Sequence, residues 1–178
     1  MRLAILDRDG VINHDSEDFI KSPDEWQAIP GSLEAIAQLN QAGYRVVVAT
    51  NQSGLARSLL TLEDLHQIHI KMLRQLAEVG GHIEAIFFCP HGSKSNCTCR
   101  KPRPGLLYDI ANRLGMPLTG VPAIGDSLRD LQAARTAGAQ PILVLTGKGA
   151  DTADNLQEFG HVPVYADLAA VVNELLNK

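Results

Sequence analysis

The chain reads as an α/β protein: a Rossmann-like three-layer sandwich with a mainly parallel sheet. Short apolar runs of strand length alternate with helical patterns along the whole sequence, as in sheets covered on both faces. Strand-to-strand connections through a helix favour parallel pairing. Acidic and small polar residues collect just after the strand-like runs, where open α/β sheets place their ligand crevice. At 178 residues the chain suits one full core and is short for two, so residues 1–178 are expected to form one domain.

The elements follow in order. Leu3-Ala4-Ile5-Leu6 is the centre of a strand near 2–6. A helix near 31–42 opens at Pro30-Gly31-Ser32 and stops at Gly43, and Tyr44 to Ala49 forms the second strand. Thr61-Leu62-Glu63-Asp64 has the form of a helix start, for a helix near 61–79 ahead of a strand at 83–88. A helix near 105–115, a strand at 121–125, a helix at 128–138 and a strand at 141–145 continue the alternation. One more helix, a short strand near 162–165 and a closing helix near 167–177 complete it. Residues 10–30 and 89–104 are long irregular stretches.

Composition narrows the function classes. Hydrophobic residues are 45% and aromatics 4%, so the core rests on Leu, Ile, Val and Ala. No apolar run approaches the ~18 residues that cross a bilayer, and the N-terminus lacks a secretion signal, so a cytoplasmic location is expected. A net charge of −4 argues against nucleic acid or an anionic membrane as partner. An anionic substrate needs a local basic cluster, which Arg100, Lys101 and Arg103 supply. Arg8 and Arg57 either add to it or are solvated loop charges.

Four segments carry chemistry. Asp7-Arg8-Asp9-Gly10 places two carboxylates at i and i+2 behind the first strand, where one can attack an electrophile while the other moves protons. Alone, that segment reads equally as a capped or solvated loop. Thr50-Asn51-Gln52-Ser53-Gly54, Arg100-Lys101-Pro102 and Gly125-Asp126-Ser127 with Asp130 add a hydroxyl, a lysine and a distal acidic pair. The Thr50 hydroxyl and Asn51 amide can donate to phosphoryl oxygens, and Lys101 can supply fixed positive charge. Taken singly, Thr50 could cap a helix and Lys101 could be a surface lysine.

Cys89, His91, Cys97 and Cys99 give the spacing C-x-H-x5-C-x-C, two tight pairs able to grip one zinc ion tetrahedrally. The rival is a disulfide, but three cysteines is an odd number and no secretion signal accompanies them. Four protein ligands leave no open position, so the zinc would be structural and would fix the backbone that presents Arg100 and Lys101.

In type and order these segments resemble the four motifs of the haloacid dehalogenase (HAD) superfamily of phosphohydrolases. The wider match covers about residues 2 to 150, with Thr50 to Arg57, Cys89-Pro90-His91, Cys97 to Gly105 and Thr146-Gly147-Lys148-Gly149. It is similar to the heptose-1,7-bisphosphate 7-phosphatase family. The resemblance implies a HAD-like fold whose two loops are too short for a large cap domain, leaving an open site. It implies magnesium held by Asp7, the Asp9 carbonyl and Asp126, with an aspartyl-phosphate forming on Asp7. Asp9 would protonate the departing oxygen and then accept a proton from water, which asks for a raised pKa. Arg100 would bind a second phosphate, and Asp15, Ser16, Glu17, Asp18, Asn51, Gln52 and Ser53 would contact substrate. Asp130 either orients Lys101 or the Asp126 loop, or caps the helix from 128. The implied substrate is D-glycero-D-manno-heptose 1,7-bisphosphate, which loses its 7-phosphate in lipopolysaccharide precursor synthesis.

Three departures from the family pattern stand out: Val11 in place of threonine, a short His91–Cys97 gap, and Ser127 where some relatives carry lysine. Histidinol-phosphate phosphatase is the near rival, and a polynucleotide 3′-phosphatase a further one that the negative charge disfavours. From another class, a phosphoacceptor or sugar-phosphate-binding module shares the residue types, though a dead binder should have lost one of Asp7, Asp9, Lys101 or Asp126. His14, His66, His69, His82 and His161 read as surface or core-edge histidines. With no apolar stripe evident, a monomer is expected.

Overall fold

The computed structural model describes residues 2–157 and 159–177. Six parallel strands form one sheet: β1 (Arg2–Leu6), β2 (Tyr44–Asn51), β3 (Ala85–Cys89), β4 (Pro122–Gly125), β5 (Gln140–Val144) and β6 (Val164–Tyr165). The helices are α1 (Ser32–Gln41), α2 (Leu62–Glu78), α3 (Gly105–Leu114), α4 (Leu128–Thr136), α5 (Gly149–Asp154) and α6 (Leu168–Leu176). The strand order is β3-β2-β1-β4-β5-β6, so the chain reverses its direction of travel between β1 and β4. That reversal opens a crevice at the carboxyl ends of β1 and β4, the usual ligand position in such sheets.

Alternation along the central strands feeds two cores. Ala4 and Leu6 of β1, with Val46 and Val48 of β2, pack with Trp26, Ile36, Ile68, Met72 and Val171 on one face. Leu3, Ile5, Val47 and Ala49 face the other way, onto Leu106, Ile110, Ala133 and Ala134 of α3 and α4. Burial on both sides is what makes these strands read as continuous apolar runs.

One strand outruns its apolar signal. β2 continues through Thr50 and Asn51, which pair with Phe88 and Cys89 of β3 although their side chains are polar. The irregular stretch 10–30 contains a 3-10 turn at Pro23–Glu25, and Trp26 behind it is fully buried. α2 opens on a capping box in which Thr61 and Asp64 bond reciprocally, as its first residues predicted. Among the described residues no helix is long and apolar enough to cross a membrane.

Candidate active site

The strand ends present their polar residues to one cavity of ≈ 230 Å³ at the crevice. Asp7 follows β1 directly, and its backbone N–H donates to the Ile124 carbonyl of β4 at 2.9 Å, locking the two strand ends together. Its Oδ1 accepts from the Arg8 N–H at 2.8 Å and stands 3.0 Å from Lys101 Nζ. Oδ2 has no donor among the described residues.

Lys101 is 4% exposed and has three partners for three hydrogens: Asp7 Oδ1, Asp130 Oδ1 at 2.6 Å and the Ala49 carbonyl at 2.7 Å. Burial opposes its charge, but Asp130 and Asp7 outweigh that and raise its pKa. Its positive charge is therefore fixed in place. Asp130 meets both alternatives read from the sequence: Oδ1 holds Lys101, and Oδ2 closes a capping box with Ser127 at the start of α4.

Asp7 and Asp126 crowd one another. Burial, aided by the charges of Asp130 and Asp9, pushes Asp7 up to about 7 against the pull of Lys101. Burial followed by repulsion from Asp7 and Asp130 pushes Asp126 up to about 8. Oxygens of Asp7, Asp126 and Asp130 lie within 4.8 Å of one another. Hard oxygen donors held close at this electrostatic cost fit a hard divalent cation, with Asp130 already committed to Lys101. Glycine is required around them. Gly10 has φ +81°, and a Cβ there would lie 2.1 Å from Asp126 Oδ2; one on Gly147 would lie 2.2 Å from the same atom.

Asp9 departs from expectation. Burial works against its charge, but Arg8, Asn13 and Gln52 overcome that and hold it below the usual carboxylate range. Arg8 Nη2 lies 2.9 and 3.0 Å from its two oxygens, Asn13 Nδ2 donates to Oδ1 at 2.9 Å, and Gln52 Nε2 donates to Oδ2 at 2.9 Å. The raised pKa read from the sequence is thus reversed, because the adjacent arginine turns inward rather than out to solvent. Gln52 also donates to Thr50 Oγ1 at 3.0 Å, so the Thr50 hydroxyl keeps its own proton to donate. Asn51 lines the cavity and has a second use that its sequence position does not show: its amide grips the backbone of Lys101 on both sides.

The cavity mouth carries both signs of charge. Arg57, Arg100, Arg129 and Lys148 line it together with Asp15, Ser16 and Glu17. Burial, then repulsion from Arg129, lowers the pKa of Arg100, and Arg57 adds to that effect. Arg129 makes no hydrogen bond or ion pair among the described residues, and Arg57 stacks on Phe19 at 5.3 Å. Lys148 pairs with Asp15 at 2.8 Å across the mouth. Asp18 stays outside the cavity lining, while Asn51 and the buried Gln52 and Ser53 line it. Arg103 turns away to the carbonyls of Ser95 and Cys97, so it braces the cysteine loop instead of the basic cluster. Arg129 carries no sequence signal beyond its place beside Asp130 in the first turn of α4.

Cys89, His91, Cys97 and Cys99 converge beside this cavity. Their ligand atoms all lie within 4.8 Å of one another. Cys89 Sγ is 3.8 Å from Cys97 Sγ and 3.1 Å from Cys99 Sγ, and His91 Nδ1 is 3.5 Å from Cys89 and 3.3 Å from Cys99, a cluster somewhat tighter than a filled zinc site at the Cys89–Cys99 edge. Zinc–sulfur bonds of about 2.3 Å at tetrahedral angles give edges of about 3.8 Å between sulfurs and about 3.5 Å from sulfur to nitrogen. All three cysteines are free thiols.

A parallel sheet with this strand order, carboxylates after β1 and β4, a hydroxyl at the end of β2 and a buried lysine defines a HAD-type phosphohydrolase. Family models agree: residues 98–171 match one described as HAD-hydrolase-like, and residues 2–119 match one described as polynucleotide kinase 3 phosphatase. The D-glycero-beta-D-manno-heptose-1,7-bisphosphate 7-phosphatase of Bordetella bronchiseptica is 57% identical, covering 100% of this chain and 99% of its own. That of Pseudomonas aeruginosa is 51% identical over 98% of this chain and 97% of its own. The crystal structure of the B. bronchiseptica phosphatase, complexed with magnesium and phosphate, superposes with a TM-score of 0.95 over 99% of each chain. The chain belongs to the heptose-1,7-bisphosphate 7-phosphatase family.

Proposed function

We propose that this chain is a magnesium-dependent phosphatase that removes the 7-phosphate of D-glycero-β-D-manno-heptose 1,7-bisphosphate, acting as a cytoplasmic monomer in lipopolysaccharide precursor synthesis. The observation that carries the reading is the pairing of the Asp7 centre with three unneutralised arginines at the mouth of the same cavity. One end of a bisphosphate meets the carboxylate nucleophile, and the other meets Arg57, Arg100 and Arg129. Asp15, Ser16, Glu17 and Ser53 face the sugar hydroxyls between them. The β anomer is the one the B. bronchiseptica and P. aeruginosa relatives are named for. Histidinol phosphate, with one phosphate and a cationic amine, leaves the arginines without a partner. A nucleic-acid end is disfavoured by the net charge of −4.

Asp7, the Asp9 carbonyl and Asp126 would hold the magnesium, which when bound neutralises the phosphate charge that otherwise repels a carboxylate. Asp7 Oδ2 attacks phosphorus, Lys101 together with the magnesium would favour the ionised form of Asp7, and the Thr50 hydroxyl donates a hydrogen bond to a phosphoryl oxygen. Asp9 is ionised before substrate arrives, so the proton for the leaving oxygen comes with the substrate monoanion or from solvent. The dianionic phosphate beside Asp9 favours its protonated form, so Asp9 takes up that proton and passes it to the leaving oxygen. Asp9 then takes a proton from the water that releases phosphate. The zinc held by Cys89, His91, Cys97 and Cys99 is structural and sets the path of the backbone to Arg100 and Lys101.

Phosphorus NMR of the reaction tests this reading. With magnesium, the C7 phosphate signal of the β-bisphosphate gives way to inorganic phosphate while the C1 signal persists. Loss of the C1 phosphate, or no release at all, contradicts it.

A further inference from the structure

Arg8 is 0% exposed, a position an arginine takes only when its charge and its donors are met. One edge of its guanidinium lies on Asp9, with Nε 3.1 Å and Nη2 2.9 Å from Oδ1. The other edge, through Nη1, lies 3.2 Å from Nε2 of His69, on the buried face of α2. A guanidinium has only donors, so Nε2 accepts, and the imidazole is neutral with its proton on Nδ1. Gripped at opposite edges, the planar group cannot rotate, and the carboxylate it carries inherits that orientation.

We propose that His69 is a positioning residue for the reaction: through Arg8 it fixes the direction in which the Asp9 carboxyl meets the leaving oxygen. This rests on the reading of Asp9 as the proton-transfer group. In the step concerned, the bond from Asp7 oxygen to phosphorus forms and the bond from phosphorus to the leaving oxygen breaks. The leaving oxygen takes the proton of Asp9. Water then attacks phosphorus and returns a proton to Asp9, which frees Asp7 and phosphate.

The direction of that proton matters for an alkoxide leaving group and hardly at all for nitrophenolate, which departs as a stable anion. The test therefore compares kcat/KM, which reports the chemistry through leaving-group departure, for alkyl and nitrophenyl phosphates. His69→Phe keeps the ring and loses the acceptor; His69→Gln keeps an acceptor within reach of Arg8. The expected result is a loss of about tenfold or more on alkyl phosphates for His69→Phe, within about twofold on p-nitrophenyl phosphate, and recovery in His69→Gln. His69→Asn, polar but too short to reach Arg8, should behave as His69→Phe and supplies the test where the phenylalanine variant does not fold. Equal losses on both substrates, no loss on either, or a glutamine variant no better than the others would overturn the proposal. Glycerol 3-phosphate serves as an alkyl probe beside the heptose bisphosphate. A failure of the heptose assignment appears as wild-type protein inert on the bisphosphate alone, and the His69 comparison still stands.

Discussion

Asn51 clamps the backbone of Lys101: its Nδ2 donates to the Lys101 carbonyl and its Oδ1 accepts from the Lys101 N–H, both at 3.1 Å. The end of β2 thereby holds the loop that brings the ammonium to Asp7. Asn51→Ala should lower kcat by about tenfold to a hundredfold, since a displacement near 1 Å in a reacting group has that scale of effect. Steady-state kinetics beside a melting curve check it; unchanged kcat would mean that Asp130 and the Ala49 carbonyl place Lys101 unaided.

The cysteine loop approaches the same lysine from the other side, since Cys99 lies two residues before it. Cys97→Ala should abolish zinc binding, measured by metal analysis of the purified protein, and lower kcat by about tenfold or more through the same kind of displacement. Zinc-free protein with normal kinetics would separate the loop from catalysis.

Three arginines at the mouth predict a selective effect. Arg129→Ala should raise KM for the bisphosphate by about tenfold, the scale of one lost charge-assisted hydrogen bond, and leave KM for a simple monophosphate within about twofold. Equal effects on both substrates would remove Arg129 from recognition of the second phosphate.

Stability should depend on pH in a way that magnesium alters. Without added magnesium, Asp7 and Asp126 titrate near 7 and 8 in the folded protein but near 3.8 when unfolded. A folded pKa above the unfolded one contributes stability that is complete below pH 3.8 and lost as pH rises through 7 to 8. The melting temperature of magnesium-free protein should therefore fall between about pH 5 and pH 8. Saturating magnesium should flatten that fall, and so should Asp126→Asn. A melting temperature that rises over this window contradicts the crowding of the two carboxylates.

The parts legible in the sequence are those written locally. β1, β2 and β4 are buried on both faces and announce themselves as apolar runs, and the Cys89–Cys99 loop keeps all four ligand atoms within eleven residues. Asp7, Asp9, Thr50, Lys101 and Asp126 were found because each follows a strand end or belongs to a recognisable segment. What escaped depends on partners brought together from afar. Arg8 reads either as an addition to the basic cluster or as a loop charge, because its acceptor, His69, lies 61 residues away on α2. That inward turn reverses the expected state of Asp9. The grip of Asn51 on Lys101 is not legible either, because the two lie 50 residues apart. Arg129 offered no local pattern, and only the cavity gathers it with Arg57 and Arg100.

The most direct test of the account is kcat/KM for magnesium-dependent phosphate release from the β- and α-anomers of D-glycero-D-manno-heptose 1,7-bisphosphate and from histidinol phosphate, side by side, with Asp7→Asn as control. The account predicts that the β anomer leads and that the Asp7 variant is inactive on all three. A lead for histidinol phosphate, or full turnover by Asp7→Asn, would contradict it.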